Sequence, residues 1–292
     1  MEIPKEKSKK SSAQNSEDSL ADELPFWSAP FGIRLLNQIR YKRGLTALDI
    51  GFGTGFPLTE LAMRLGKSSR VYGIDPWEGG HERTRKKLKQ FSVVNTTLIR
   101  GVAENIPLKN NSTDLITSNN GLNNVNDLNK ALAECSRILK PGGQFVQTLN
   151  LNTTMHEFYD ILEDIMREKG MKAEIRKMYK HIYTKRKPLR EIIKAIEKQR
   201  FTINEIIKDQ FEYAFADGEA MLDHHFIKSA FVPSWQEILP VRKKENIFKA
   251  IRERMEINTK ARGCFKLTIP FVLIDCEKSH NTSGKYTGKA LH

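Results

Sequence analysis

The densest candidate chemistry lies in one short stretch, Asp49-Ile50-Gly51-Phe52-Gly53-Thr54-Gly55. Glycine reaches positive φ without strain, so this spacing predicts a tight turn. Missing side chains let the backbone approach a ligand closely, and the open N–H groups of a following helix bind polar ligand groups. Nicotinamide enzymes use a G-x-G-x-x-G version of such a turn. Here the spacing is G-x-G-x-G, Asp49 precedes it, and a second acid, Asp75, closes the next strand-like run. An acid at that point is placed to accept hydrogen bonds from ribose hydroxyls. An ordinary tight loop is the bland reading; the agreement of strand, turn, helix, strand and acid argues against it.

Alternating strands and helices must position these residues. Leu45–Ile50 is an apolar run ending in glycines, which suits a buried parallel strand. Pro57–Leu65 reads as a helix, Arg70–Asp75 as a strand, Glu82–Phe91 as a basic helix, and Thr96–Val102 and Thr113–Ser118 as strands. Asp127–Leu139 reads as a helix stopped by Pro141-Gly142-Gly143, and Gln144–Leu149 as a fifth strand. A short amphipathic helix, Ile33–Ile39, precedes them all. This alternation predicts an α/β fold with a mostly parallel sheet and helices on both faces.

The later sequence does not read as an independent domain. His156–Lys169 and 171–199 are helical in pattern, the latter interrupted near Lys187-Pro188. Phe201–Phe215 and Phe265–Cys276 carry strand patterns, with Pro270 marking an edge or a bulge. Helical stretches Asp217–Lys228 and Arg242–Ile257 lie between them. The expected organisation is a disordered tail at 1–23 and one domain over 24–279. Helical insertions at about 154–200 and 217–258 are expected to form a cap, and 280–292 a flexible tail.

Composition bounds the function classes. The chain has 292 residues, 39% of them hydrophobic, enough for a sizeable core. Three cysteines, Cys135, Cys264 and Cys276, argue against a disulfide framework or a cysteine zinc site. With no apolar signal core and no run of membrane-spanning length, the expectation is a cytoplasmic protein. The net charge of +13 is concentrated between Arg167 and Arg200. A basic surface attracts nucleic acid, anionic membrane or acidic substrates, but a solvated helix face is the commoner cause.

From about Leu45 to Leu149 the sequence resembles the class I S-adenosylmethionine-dependent methyltransferases. Within them it is most similar to the ubiquinone/menaquinone C-methyltransferases and other small-molecule enzymes, a methyltransferase type 11 pattern. Asp49-x-Gly51-x-Gly53-x-Gly55 matches the first motif, and Asp75 in Gly73-Ile74-Asp75-Pro76 the ribose-binding acid. Ala103-Glu104-Asn105-Ile106-Pro107 matches the segment flanking the adenine. Asp114–Asn119 and Arg137–Gly143 match the fourth strand and the turn before the fifth. The resemblance implies S-adenosylmethionine as cofactor and a Rossmann-like seven-stranded sheet with an antiparallel last strand. The two late strand patterns supply the missing pair.

Methyl transfer needs no covalent enzyme intermediate: the acceptor attacks in line with the departing sulfur, and the protein aligns, desolvates and sometimes deprotonates it. The cofactor-binding residues expected are Asp49, Gly51, Phe52, Gly53, Gly55, Asp75, Pro76, Trp77, Ala103, Glu104 and Asn119. Phe52 is expected to pack on the cofactor or the first helix, Trp77 to cover the adenine or pack on the surface, and Trp27 to help close the site or serve the core. Asn119 opens an asparagine-rich run, Asn119-Asn120-Gly121-Leu122-Asn123-Asn124, whose amides suit orientation of cofactor and acceptor or simply build a turn. The catalytic candidates are Asn119 and, in Asp223-His224-His225, the two histidines as general bases, with His156 a rival. No metal site is expected, since a third ligand is not visible beside them. The preferred reading is an enzyme acting on a small-molecule acceptor. Methylation of nucleic acid or protein, and a non-catalytic cofactor-binding protein, stay open; no membrane span is expected, and the oligomeric state is not specified.

Overall fold

The structure is a computed structural model that describes residues 27–280. The tails expected at 1–23 and, but for His280, at 280–292 lie outside the described residues. The chain divides into two compact units. The first is built from the chain through Thr148, Ala195–Ile206 and the chain from Leu273; the second comprises Leu149–Lys194 and Ile207–Val272.

Seven strands form one mixed sheet: β1 (Thr46–Ile50), β2 (Arg70–Asp75), β3 (Thr96–Arg100), β4 (Thr113–Asn119), β5 (Leu139–Asn150), β6 (Phe201–Phe215) and β7 (Phe265–Lys278). Their order is β3-β2-β1-β4-β5-β7-β6. The pairs β1/β2, β1/β4, β2/β3 and β4/β5 are parallel. β7 runs against both neighbours. Lys278 Nζ donates to Leu139 O and Leu151 N–H to Pro270 O, while Ser279 N–H donates to Arg200 O and Lys266 pairs with Glu212. The order reverses between β1 and β4, and a parallel sheet opens a crevice for ligands at such a point.

The helices of the first unit are α1 (Ala29–Gln38), α2 (Leu58–Leu65), α3 (Glu78–Gln90) and α4 (Leu128–Ile138). Three of them turn an apolar stripe inward: Phe31, Leu35 and Leu36 of α1, Leu58, Leu61 and Ala62 of α2, and Ala131, Leu132 and Ile138 of α4 are buried, as are Ala47, Leu48, Val71 and Ile116 of the strands, whereas α3 buries Gly80, His81, Thr84, Lys87 and Leu88. Several boundaries differ from the predicted ones. α1 begins at Ala29 because Pro30 fits a first turn, where its missing N–H is not needed. α3 begins at Glu78, not Glu82, and β3 ends at Arg100, not Val102. α2 begins at Leu58, with Pro57 as its cap residue. Pro141-Gly142-Gly143 does not stop α4, which ends at Ile138; those residues lie within β5. Thr113 pairs with Leu139 but Leu115 with Gln144, so a local irregularity in β5 absorbs the extra residues.

The second unit contains α5 (His156–Glu168), α6 (Lys172–Lys185), α8 (Gly218–Asp223), α9 (His225–Ala230), α10 (Val232–Glu237) and α11 (Lys244–Arg262); α7 (Leu189–Lys198) begins in it. Phe158, Leu162 and Ile165 of α5, Met221 of α8, Trp235 of α10 and Ile251 and Met255 of α11 are all buried. Asp217–Lys228 is not one helix: His224, with φ −56° and ψ 124°, breaks it into α8 and α9. α10, which sequence periodicity did not reveal, carries Pro233 in its first turn. Pro270 does not lie on an edge strand, since β7 runs between β5 and β6.

Candidate functional site

The cavity of interest belongs wholly to the first unit and measures about 420 Å³. Ile50, Gly51 and Gly53 reach it from the end of β1, and Ile74, Asp75 and Pro76 from the end of β2. Gly101, Val102, Ala103 and Glu104 follow β3, and Asn119, Asn120 and Gly121 follow β4. Asn124, Val125 and Asn126 precede α4, and Trp27 and Ser28 precede α1. The cavity thus opens at the carboxyl ends of β1, β2 and β4, on both sides of the strand-order reversal.

Glycine is required here for two physical reasons. A Cβ on Gly51 would stand 2.6 Å from Gly121 Cα, and one on Gly121 would stand 2.2 Å from Ile50 O, so these two backbones touch. Gly53 differs. Its φ is +53°, it lines the cavity, and a Cβ there would meet no protein atom within 4 Å. The space its side chain would fill is open to a ligand.

Asp75 fixes the turn. Its Oδ2 accepts the Gly53 N–H at 2.9 Å and its Oδ1 the Trp77 N–H at 2.8 Å. A carboxylate has about four acceptor positions, so each oxygen keeps capacity toward the cavity. Behind it stands His81 of α3, 1% exposed, whose Nε2 donates to Asp75 O at 2.8 Å and whose ring meets Phe52 edge-on at 4.8 Å. Sequence reasoning missed His81; its only signal was a histidine on a helix that starts directly after the acid.

Asp49 does not line the cavity. It is 1% exposed, takes a 2.7 Å bond from Thr117 Oγ1 on one oxygen, and has no partner on the other. Burial pushes its carboxyl up to about 7; the Thr117 bond opposes this and the negative charge of Asp75 adds to it.

Of the other expected cofactor residues, Gly51, Gly53, Asp75, Pro76, Ala103, Glu104 and Asn119 line the cavity, whereas Phe52, Gly55 and Trp77 do not. Phe52 is 1% exposed and turns into the core. Gly55 faces Thr84 and Thr59. Trp77 is 55% exposed and lies beside Gly79 and Gly80. Glu104 Oε1 accepts the N–H groups of Asn126 and Asp127, at 2.7 and 3.0 Å, joining two parts of the rim. Asn119 is engaged at both ends of its amide: Nδ2 donates to Ser28 O at 3.1 Å and Oδ1 accepts from Thr148 Oγ1 at 2.8 Å. It anchors the start of α1 to β4.

The histidine candidates lie elsewhere. His224 and His225 are exposed residues of the second unit and do not line this cavity. His156 is exposed beside Glu157, 3.5 Å from its carboxylate. Among the described residues no three His, Cys, Asp or Glu side chains group as metal ligands. Trp27, Ser28 and the Asn124-Val125-Asn126 segment line the cavity more directly than sequence spacing implied.

A methyltransferase domain family model matches residues 48–147, the span that carries the glycine turn, Asp75 and β4. Demethylmenaquinone methyltransferase of Geobacillus sp. (strain WCH70) is 36% identical over 111 residues, covering 38% of this chain and 47% of that protein. The chain spans about half the length of the curated relatives it matches. Two solved structures share the fold at low identity. The YcgJ protein of Bacillus subtilis aligns with a TM-score of 0.54 at 16% identity, covering 87% of this chain and 99% of that one. Geranyl diphosphate C-methyltransferase of Streptomyces coelicolor A3(2) aligns with a TM-score of 0.53 at 17% identity, covering 94% and 86%.

Proposed function

We propose, with a class I S-adenosylmethionine-dependent methyltransferase domain at residues 48–147 as the premise, that this protein transfers a methyl group to a small-molecule acceptor. The observation that carries the reading is the open space at Gly53, bounded by Asp75. A ligand with a ribose fits that pairing, because Asp75 keeps acceptor capacity for two vicinal hydroxyls while its existing bonds hold the turn. Gly51 and Gly53 let the backbone approach the cofactor, and Ala103 with Ile74 and Val102 offers apolar surface to a purine ring. When bound, the cofactor supplies an activated methyl group on a sulfonium, ready for in-line transfer.

The chain's own part is alignment and exclusion of water. Asn119 acts through the architecture: with both ends of its amide engaged, it holds Ser28, a rim residue, against β4. We therefore assign Asn119 a positioning role and leave proton transfer out of its duties. The small-molecule class rests on the similarity to demethylmenaquinone methyltransferases. The test is production of S-adenosylhomocysteine from S-adenosylmethionine with a protein-free, nucleic-acid-free metabolite extract. Turnover above the extract-free control is expected. Turnover only with the polymer fraction would favour nucleic acid or protein as acceptor, and cofactor binding with no turnover in either fraction would favour a binding protein.

A further inference from the structure

The first two turns of α3 press on the glycine turn. A Cβ on Gly80 would stand 2.4 Å from Gly53 O, so helix and turn touch backbone to backbone. Thr84 Oγ1, one helical turn on from Gly80, donates to the same oxygen at 3.4 Å. Between them His81 reaches Asp75: its Nε2 lies 2.8 Å from Asp75 O, and its ring meets Phe52 of the glycine turn edge-on. Gly101 N–H donates to the same carbonyl at 3.3 Å, so both acceptor positions of that oxygen are taken. The Asp75 carboxylate in turn accepts Gly53 N–H and Trp77 N–H. His81 thus secures the backbone of the residue whose side chain secures Gly53.

The chemistry of the ring makes this bond directional. A carbonyl oxygen only accepts, so Nε2 carries the proton and the tautomer is fixed. Nδ1 is buried with no partner. The side chain is 1% exposed, so its one hydrogen bond is the bond to Asp75. A leucine or methionine would fill a purely packing role without a buried nitrogen left unmet, and an unmet buried polar atom is destabilising. What the imidazole adds over such a side chain is the donor at Nε2. A carboxylate that recognises hydroxyls through directed hydrogen bonds must be held to within about 0.5 Å, and bonds from residues behind it supply that hold.

We propose that His81 is a positioning residue of the cavity in the first unit: its bond to Asp75 O and its contact with Phe52 keep the Asp75 carboxylate aimed at the ribose hydroxyls, and so set how strongly those hydroxyls are recognised. This rests on the proposed function in taking the cavity for the cofactor's; the hold of His81 on the turn of the free protein does not.

The experiment is calorimetric titration of the full chain with S-adenosylhomocysteine and with its 2′,3′-dideoxyribose analogue, which lacks the hydroxyls. Wild type is expected to bind the first at least about tenfold more tightly than the second. In His81→Leu that ratio should fall at least about threefold, while affinity for the analogue stays within about twofold of wild type. His81→Gln, whose amide nitrogen can again donate to Asp75 O, should restore the ratio. A change that merely loosened the fold would weaken both ligands alike. Two readouts on the free protein need no ligand, and the first needs no variant. Nitrogen NMR of wild type should show His81 as the Nε2–H tautomer, and amide exchange at Gly53 and Trp77 should be faster in His81→Leu than in wild type. An Nδ1–H tautomer, unchanged exchange, or a ratio kept intact in His81→Leu overturns the proposal, as does equal weakening of both ligands. Equal binding of the two ligands by wild type overturns the ribose role of Asp75 and the proposal with it. Failure of S-adenosylhomocysteine to bind wild type would instead sink the cofactor reading, and the tautomer and the exchange would still uphold or overturn the hold of His81 on the turn.

Discussion

At the scale of single residues, the two acids of the first unit do different work although both flank the same turn. Asp75 holds the turn from outside and faces the cavity. Asp75→Ala should weaken S-adenosylhomocysteine binding at least roughly tenfold, since a hydrogen bond to a charged group is worth about 1.5–3 kcal/mol. It should also lower the melting temperature, because the Gly53 and Trp77 N–H groups lose their acceptor. Calorimetry and thermal unfolding of the one variant check both. Asp49 lies beneath the turn, and its effect is on pH dependence. Burial raises its carboxyl from 3.8 to about 7 in the folded protein, so between those values the folded form holds a proton that the unfolded form releases. Its contribution to stability is therefore full below about pH 4 and is lost as pH rises through about 7, a change of roughly a few kcal/mol at about 1.4 kcal/mol per pH unit. Urea unfolding across that window should show a slope in wild type that Asp49→Asn removes; equal slopes would mean that Asp49 is hydrated.

At the scale of elements, what was legible in the sequence was the local chemistry that repeats along it. Apolar runs ended in glycine or acid, so β1, β2 and the turn between β1 and α2 were found almost to the residue. β5 was misplaced at its start because Pro141-Gly142-Gly143 favours a turn by local preference, whereas pairing of Leu139 with Thr113 draws the whole segment into the sheet. α10 was missed because six residues containing a proline show no helical period; burial of Trp235 holds it in place. Trp77 illustrates the limit at the site itself. Its position after Asp75 suggested an adenine cover, but the start of α3 at Glu78 leaves it outside the cavity. The packing of α10 gives a further expectation. Trp235→Ala should destabilise the second unit by about 3–5 kcal/mol, the usual range for a buried aromatic, as the stack on Phe158 and the bond to Tyr159 are lost together. Protease nicking between Leu149 and Lys194 should accelerate accordingly; an unchanged rate would mean that Trp235 is replaceable in its core.

At the scale of the whole molecule, the separation into a cofactor-type unit and a second, largely helical unit follows from contacts distant in sequence, which is why it was not legible. The family-like span reads continuously from 48 to 147, but the first unit also draws on Ala195–Ile206 and the chain from Leu273. The net charge of +13 acts at this scale too. Lys172, Arg176 and Lys180 share one exposed face of α6, and reversing all three should leave S-adenosylhomocysteine affinity unchanged between about 50 and 200 mM salt, the range in which phosphate-dominated binding changes most. Binding of wild type to a single-stranded oligonucleotide that weakens steeply over that range, and is lost in the reversed protein, would instead point to a polyanionic partner. The central claim is that the 420 Å³ cavity at the ends of β1, β2 and β4 is the cofactor site. Its most direct test is S-adenosylhomocysteine titration of wild type against Gly53→Val. The valine would project into the space that meets no protein atom, at a backbone cost of about 1–2 kcal/mol for positive φ. The account predicts that wild type binds, and that the variant stays folded with binding lost. Equal affinity of wild type and Gly53→Val would contradict it.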